Sequence, residues 1–306
     1  VCSSDLICGN LYNAVLLTIQ SGWKPRLFYR FSLLRSMLSY CVWTLLDSIA
    51  VWLTSWVDIF VISTYLSDYE LGLYKYSMNT VNGIIALIST SIVSVLFSAL
   101  SRLQNDEEKM INLFTKTQYF VAIILIPMGV GIFIFRDFIT NVLLGSQWTD
   151  ASIIIGYWAL ACVFRVCFTS LNSELYRASG YPKLPFILQL IDLSILTPVC
   201  FLGIRSGFWN FVLIRSIARI DLIVPNLLVL KKKYSVNLIK LYGKIVPIII
   251  SAIVMGVVGV MLQSINSSIL WNIASILICI LIYFFILLVG FPKTRVNLIK
   301  HFTNLK

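Results

Sequence analysis

Charge is what this chain has least of. Of its 306 residues 12% are charged, about half the share usual in soluble domains, and 59% are apolar. So few charges cannot coat a water-soluble globule. That excludes an ordinary cytosolic enzyme and points to a polytopic, all-α membrane protein. Histidine is nearly absent, with His301 alone near the end. The seven cysteines (Cys2, Cys8, Cys41, Cys162, Cys167, Cys200 and Cys279) form no Cys-x-x-Cys pair, and five lie in apolar runs. The spacings of a metal site are lacking, so neither a metal nor another cofactor is expected. There is no phosphate-binding loop, no Gly-x-Ser-x-Gly and no long loop carrying paired carboxylates. A self-contained ATP-driven pump and a membrane hydrolase are therefore disfavoured, and the chain reads as a non-enzyme.

What is abundant is apolar sequence of helical length. A helix needs about 20 residues to cross the hydrocarbon core. Eight runs qualify: 38–64, 76–99, 117–135, 152–176, 184–204, 208–230, 245–263 and 268–290. The earlier stretch Ile7–Ile19 is interrupted by Gly9 and Asn10 and reads as the tail of a further helix. Val1–Leu6 (VCSSDL) could be foreign to it. Phe135–Gly145 mixes Arg136, Asp137 and Asn141 with apolar residues. It is expected to form a short amphipathic helix at the outer interface, with Trp148 at headgroup depth.

The net charge of +11 has an address. Taken alternately, the segments between runs hold eighteen and three of the 24 basic residues. The rich set is Lys24, Arg26, Arg30 and Arg35; Arg102, Lys109 and Lys116; Arg177 and Lys183; Lys231, Lys232, Lys233, Lys240 and Lys244; and Lys293, Arg295, Lys300 and Lys306. The poor set is Lys75, Arg136 and Arg205. Positive-inside topology produces this bias and places the C-terminus in the cytoplasm. The charge is thus no sign of a nucleic-acid partner.

Three arginines remain inside the runs: Arg165, Arg215 and Arg219. Asp47, Asp58, Glu174, Asp192 and Asp221 are similarly placed. Each charge costs about 2.5–3.5 kcal/mol at the centre of an inserted helix, so each asks for a function or a partner. At about 100° per residue, Phe208, Arg215, Arg219 and Asn226 share a face to within about 40°. Trp158, Cys162, Arg165, Thr169, Asn172 and Tyr176 form another stripe. If both faces point inward they line a cationic cavity suited to phosphate, with Arg165, Arg215, Arg219, Asn172 and Asn226 as binding residues. Asp47 and Asp58 share a face about 16 Å apart along the axis, too far for a dyad. With Asp192 and Glu174 they are candidates for ion coupling or for structural pairs. The structural alternative pairs Arg215 and Arg219 with Asp192 or Asp47.

Several stretches occur in a telling order: Trp56-Val-Asp58-Ile-Phe-Val-Ile-Ser63, Glu70-Leu-Gly72-Leu-Tyr74, Val95-Leu-Phe-Ser-Ala-Leu-Ser101-Arg102-Leu-Gln-Asn-Asp106, Leu144-Gly145-Ser-Gln-Trp148 and Arg177-Ala-Ser-Gly180-Tyr-Pro182-Lys183. Over Ser39–Lys183 the set resembles the polysaccharide (O-antigen and exopolysaccharide) flippases of the multidrug/oligosaccharidyl-lipid/polysaccharide exporter superfamily. The resemblance implies two six-helix lobes, often with two added helices. On that pattern 1–22 is a remnant of the last helix of a missing first lobe and 23–36 a cytoplasmic linker. Residues 37–230 are the second lobe, and 231–306 a basic loop, the two added helices and a cytoplasmic tail. It further implies a bacterial inner-membrane protein that flips undecaprenyl-pyrophosphate-linked oligosaccharides by alternating access, with Asp58 at the family's recurrent acidic position. The lipid-linked oligosaccharide, the bilayer and the other lobe are then its partners. A drug or cation antiporter of the same superfamily, or a glycan polymerase, are the alternatives.

Overall fold

The computed structural model describes residues 2–20, 31–266 and 268–291. Lys24, Arg26 and Arg30 of the expected linker lie outside the described residues. So do His301 and the expected basic tail with Lys293, Arg295, Lys300 and Lys306. The chain divides into two units, Val1–Cys41 and Val42–Lys306.

The first unit contains α1 (Cys2–Gln20) and the start of α2 (Phe31–Tyr65). Helix α1 runs through Gly9 and Asn10 without a break, because one glycine costs about 1 kcal/mol in a helix and does not stop it. Its Leu11, Tyr12, Val15, Leu17 and Ile19 are exposed, as suits a helix with apolar surroundings.

The second unit continues α2 and adds α3 (Asp68–Arg102), α4 (Glu107–Ile134) and the short α5 (Arg136–Leu143). Helix α6 (Ala151–Arg165) passes through a π turn (Val166–Ser170) into α7 (Leu171–Ala178). Then come α8 (Lys183–Gly203), α9 (Phe208–Ala218), α10 (Ile223–Tyr234), α11 (Leu238–Gly243), α12 (Val246–Gln263) and α13 (Ile269–Phe285). Among the described residues there is no strand. Among the described residues seven helices are long and apolar enough to cross a membrane, and the chain is a multi-pass membrane protein.

The run at 208–230, expected as one helix, is two. Around Arg219–Leu222 the backbone tightens, with Ile220 N–H bonded to Ile217 O, Asp221 N–H to Ala218 O and Ile223 N–H to Ile220 O. Pro225 supplies the reason: it has no N–H, and in a continuous helix its ring would strike the carbonyl of Asp221.

Helix ends explain most of the ordered motifs. Ser67 caps α3 by accepting from Glu70 N–H, while the Glu70 carboxylate accepts from Ser67 N–H in a capping box. Asp106 caps α4 by accepting from Lys109 N–H at 3.0 Å. Gly180, at φ +80°, closes α7, and the following Tyr181 N–H reaches back to Tyr176 O. Gly145, at φ +93°, turns the chain after α5.

Helix α6 packs between α3 and α4, and α12 packs against α4 and α13. Small residues allow the approach: a Cβ on Gly129 of α4 would lie 2.8 Å from Val163 Cγ2. Outward faces stay apolar, with Leu45, Phe60, Val257 and Leu281 exposed. A helical bundle in lipid needs no polar coat there.

Candidate functional site

Asp47, Thr54 and Asp58 lie seven and four residues apart, on one face of α2. Each is buried, and each meets a polar group from another helix. Asp58 is fully buried. Its Oδ2 accepts from Arg215 Nε of α9 at 2.9 Å and from the Tyr74 hydroxyl of α3 at 2.9 Å. The Asp58–Tyr74 bond joins two of the ordered sequence motifs. At the level of Thr54, Arg165 Nη2 of α6 donates to Asp192 Oδ2 of α8 at 2.7 Å. Gln189 Nε2 donates both to that same oxygen at 2.9 Å and to Thr54 Oγ1 at 2.7 Å. One turn or more beyond, Arg177 of α7 bridges Asp47 and Glu174.

The pairing differs from the structural alternative read from the sequence. Arg215 takes Asp58 rather than Asp192 or Asp47; Asp192 goes to Arg165 and Asp47 to Arg177. Arg219 takes no carboxylate among the described residues. Its guanidinium carbon stands 4.2 Å from the centre of the Trp158 ring, a cation–π contact, and its buried Nε has no hydrogen-bond partner there. Arg215 Nη1 is also buried and unpartnered.

These groups border a polar pocket of about 320 Å³, walled by α2, α3, α6, α8 and the end of α9. Lys75, Asn79, Asn82, Arg165, Arg215 and Arg219 line it. Arg165 and Arg215 are neutralised by Asp192 and Asp58. Lys75 and Arg219 have no ion-pair partner among the described residues, so the pocket is left cationic. Guanidinium and ammonium donors with uncommitted N–H groups in a low-dielectric wall are suited to an anion with several oxygens.

By sequence Lys75 falls among the outer-loop charges, because it precedes the apolar run that starts at residue 76. Helix α3 begins earlier, at Asp68, and puts Lys75, Asn79 and Asn82 on one stripe with spacings of four and three. Asn82 also accepts from Trp158 Nε1 at 3.2 Å, holding the ring under Arg219.

Asn172 and Asn226, expected beside the arginines, do not line the pocket. Both are fully buried. Asn172 Nδ2 donates to Phe168 O, and Asn226 accepts from the Tyr176 hydroxyl at 3.2 Å. The π turn at Val166–Ser170 inserts one residue, which rotates everything after Arg165 by about 100° relative to the expected stripe. The break at Arg219–Leu222 likewise separates Asn226 from Arg219. A second cavity, about 360 Å³ between α4, α12 and α13, is lined by groups such as Ile123, Pro127, Met255 and Phe284. Nothing charged lines it.

Residues 4–153 match the family model described as polysaccharide biosynthesis protein. The chain is 26% identical over 123 residues to a probable low-salt glycan biosynthesis flippase of Haloferax volcanii, covering 40% of this chain and 26% of that protein. It is 28% identical over 163 residues to the lipopolysaccharide biosynthesis protein WzxC of Escherichia coli, covering 51% and 32%. A solved structure of the lipid II flippase MurJ, in an inward closed conformation, superposes with a TM-score of 0.68 at 21% identity. That alignment covers 87% of this chain and 56% of the other, and it carries the fold. The chain therefore spans about a quarter to a third of these curated relatives. The resemblance read from the ordered motifs is borne out.

Proposed function

From this kinship with polysaccharide biosynthesis flippases, we propose that the chain forms part of a transporter that flips lipid-linked oligosaccharides across the bacterial cytoplasmic membrane. The observation that carries the proposal is the pocket of Arg165, Arg215, Arg219 and Lys75, in which two cations are left without a counter-charge. A flippase must take an anionic, sugar-bearing headgroup through a layer that excludes charge while the polyprenyl tail stays in lipid. Undecaprenyl pyrophosphate fits that chemistry: its oxygens exchange water for the free donors of Arg219 and Lys75 rather than for hydrocarbon.

On this reading residues 37–230 are the second lobe, with the broken α9–α10 segment as its sixth crossing. Residues 231–306 add the basic loop, two further helices and a tail, with the C-terminus in the cytoplasm. The pocket faces a first lobe supplied by the rest of the protein, and the two lobes rock about it to expose the headgroup to either leaflet. The paired arginines hold helices in register; the unpaired cations hold the substrate. A drug or cation antiporter would need carboxylates free to meet a cation, whereas Asp47, Asp58 and Asp192 are each engaged by an arginine.

The test is complementation of a flippase-deficient strain by the full-length protein. Lys75→Ala with Arg219→Ala should abolish surface polysaccharide at normal expression. Undiminished polysaccharide would overturn the assignment.

A further inference from the structure

A polar cavity of about 640 Å³ lies between α5 and the turn from α12 to α13. It has twice the volume of the cationic pocket and shares no lining residue with it. Asp137 and Asn141 line it from one face of α5, four residues apart. Gln263, Asn266 and Asn272 line it from the end of α12, the turn and α13. The turn is braced. Asn266 Oδ1 accepts from Ser268 N–H at 2.9 Å, Asn272 Nδ2 donates to Ser268 O at 3.1 Å, and Trp271 Nε1 donates to Leu262 O at 2.7 Å. The side chains of Asp137, Asn141 and Gln263 form no hydrogen bond or ion pair with any described residue. Their donors and acceptors are therefore uncommitted, on a wall whose far side is held in shape.

The wall selects its occupant. Among the described residues no lysine or arginine lines it, and Asp137 repels an anion, so phosphate is a poor fit. Calcium takes about six to eight oxygens, several from carboxylates, and Asp137 is the one carboxylate among the lining residues. Carboxamides, by contrast, set a donor and an acceptor side by side, which matches neighbouring hydroxyls on a sugar ring. A carboxylate accepts strongly from a hydroxyl. Phe138 and Ile269 add apolar wall for the C–H face of such a ring. We propose that this cavity binds a neutral sugar. On the topology of the function proposed above, α5 and the turn lie on the outer, cation-poor side, where a flipped headgroup emerges. The cavity there receives the sugar units of the lipid-linked oligosaccharide. Its sugar chemistry stands on these side chains alone, and only its part in transport rests on that proposed function.

The test is saturation-transfer difference NMR on the full-length protein in lipid nanodiscs. The probes are free glucose, galactose, mannose, N-acetylglucosamine and glucuronate, with inorganic pyrophosphate as competitor. At least one neutral sugar should receive saturation, and more of it than glucuronate does. Asn141→Ala with Gln263→Ala should weaken that signal about fivefold or more, because two hydrogen-bonding groups are lost. The unfolding temperature should hold, since neither side chain bonds to the rest of the protein. Asp137→Asn should raise the glucuronate signal relative to the neutral sugars, a change that a merely structural role would not produce. Pyrophosphate should leave the sugar signal in place. Saturation of none of the probes, a preference for glucuronate, a signal unchanged in the double variant or displacement by pyrophosphate overturns the proposal. Flipping in proteoliposomes is measured separately. A protein that binds sugar in this cavity and flips nothing refutes the transport reading and leaves the site standing; one that flips and binds none of the sugars does the reverse.

Discussion

Asp58 and Arg215 are 157 residues apart in the chain and meet at 2.9 Å in the most buried charge pair among the described residues. The pair ties α9 to α2, and the Tyr74 hydroxyl ties α3 to the same oxygen. Three helices thus converge on one carboxylate beside the pocket, and that carboxylate neutralises one of the pocket's arginines.

Removing one member leaves the other buried without compensation, which costs about 3–5 kcal/mol. Asp58→Asn and Arg215→Gln should each lower the unfolding midpoint of the detergent-solubilised protein strongly. The double variant should be less destabilised than the sum of the singles. Additive losses would mean that the two side chains do not support each other.

The capping residues should behave differently. Glu70 belongs to the same ordered motifs as Asp58, but its carboxylate closes the capping box of α3. Glu70→Gln keeps that geometry, and Ser67→Ala should cost about 1 kcal/mol. Both should retain flipping, measured as restored surface polysaccharide, while Asp58→Asn should not.

That contrast bears on what was legible. The all-helical, multi-pass architecture and the burial of Asp58 and Arg215 at apolar positions follow from composition and period, whereas one of the eight expected runs, 208–230, is two shorter helices. The placement of Asn172 and Asn226 does not follow from composition and period. Face arithmetic assumes an unbroken 3.6-residue helix, and the π turn after Arg165 and the break before Pro225 each violate it. Lys75 was hidden for another reason: a charge at the edge of an apolar run reads as loop, although the capping box at Ser67 starts the helix two turns earlier. Partner choice among the arginines depends on which helices cross at which height, and local sequence carries no record of that.

The break has its own test. Pro225→Ala restores an N–H that can bond to Asp221 O, and it removes the clash that interrupts the helix. Amides at 220–224 should exchange hydrogen several-fold more slowly, and flipping should fall as the segment stiffens. Unchanged exchange would mean that Pro225 does not cause the break.

The most direct measurement is translocation of a pyrophosphate-linked lipid oligosaccharide by the full-length protein in proteoliposomes, comparing wild type with Arg219→Lys and Arg219→Gln. Arg219 has no carboxylate partner among the described residues, so both variants should unfold at nearly the wild-type temperature. The expected result is partial transport with lysine, which keeps the charge but not the two-pronged donor, and loss of at least tenfold with glutamine. Wild-type transport by Arg219→Gln would contradict the anion-binding role of the pocket.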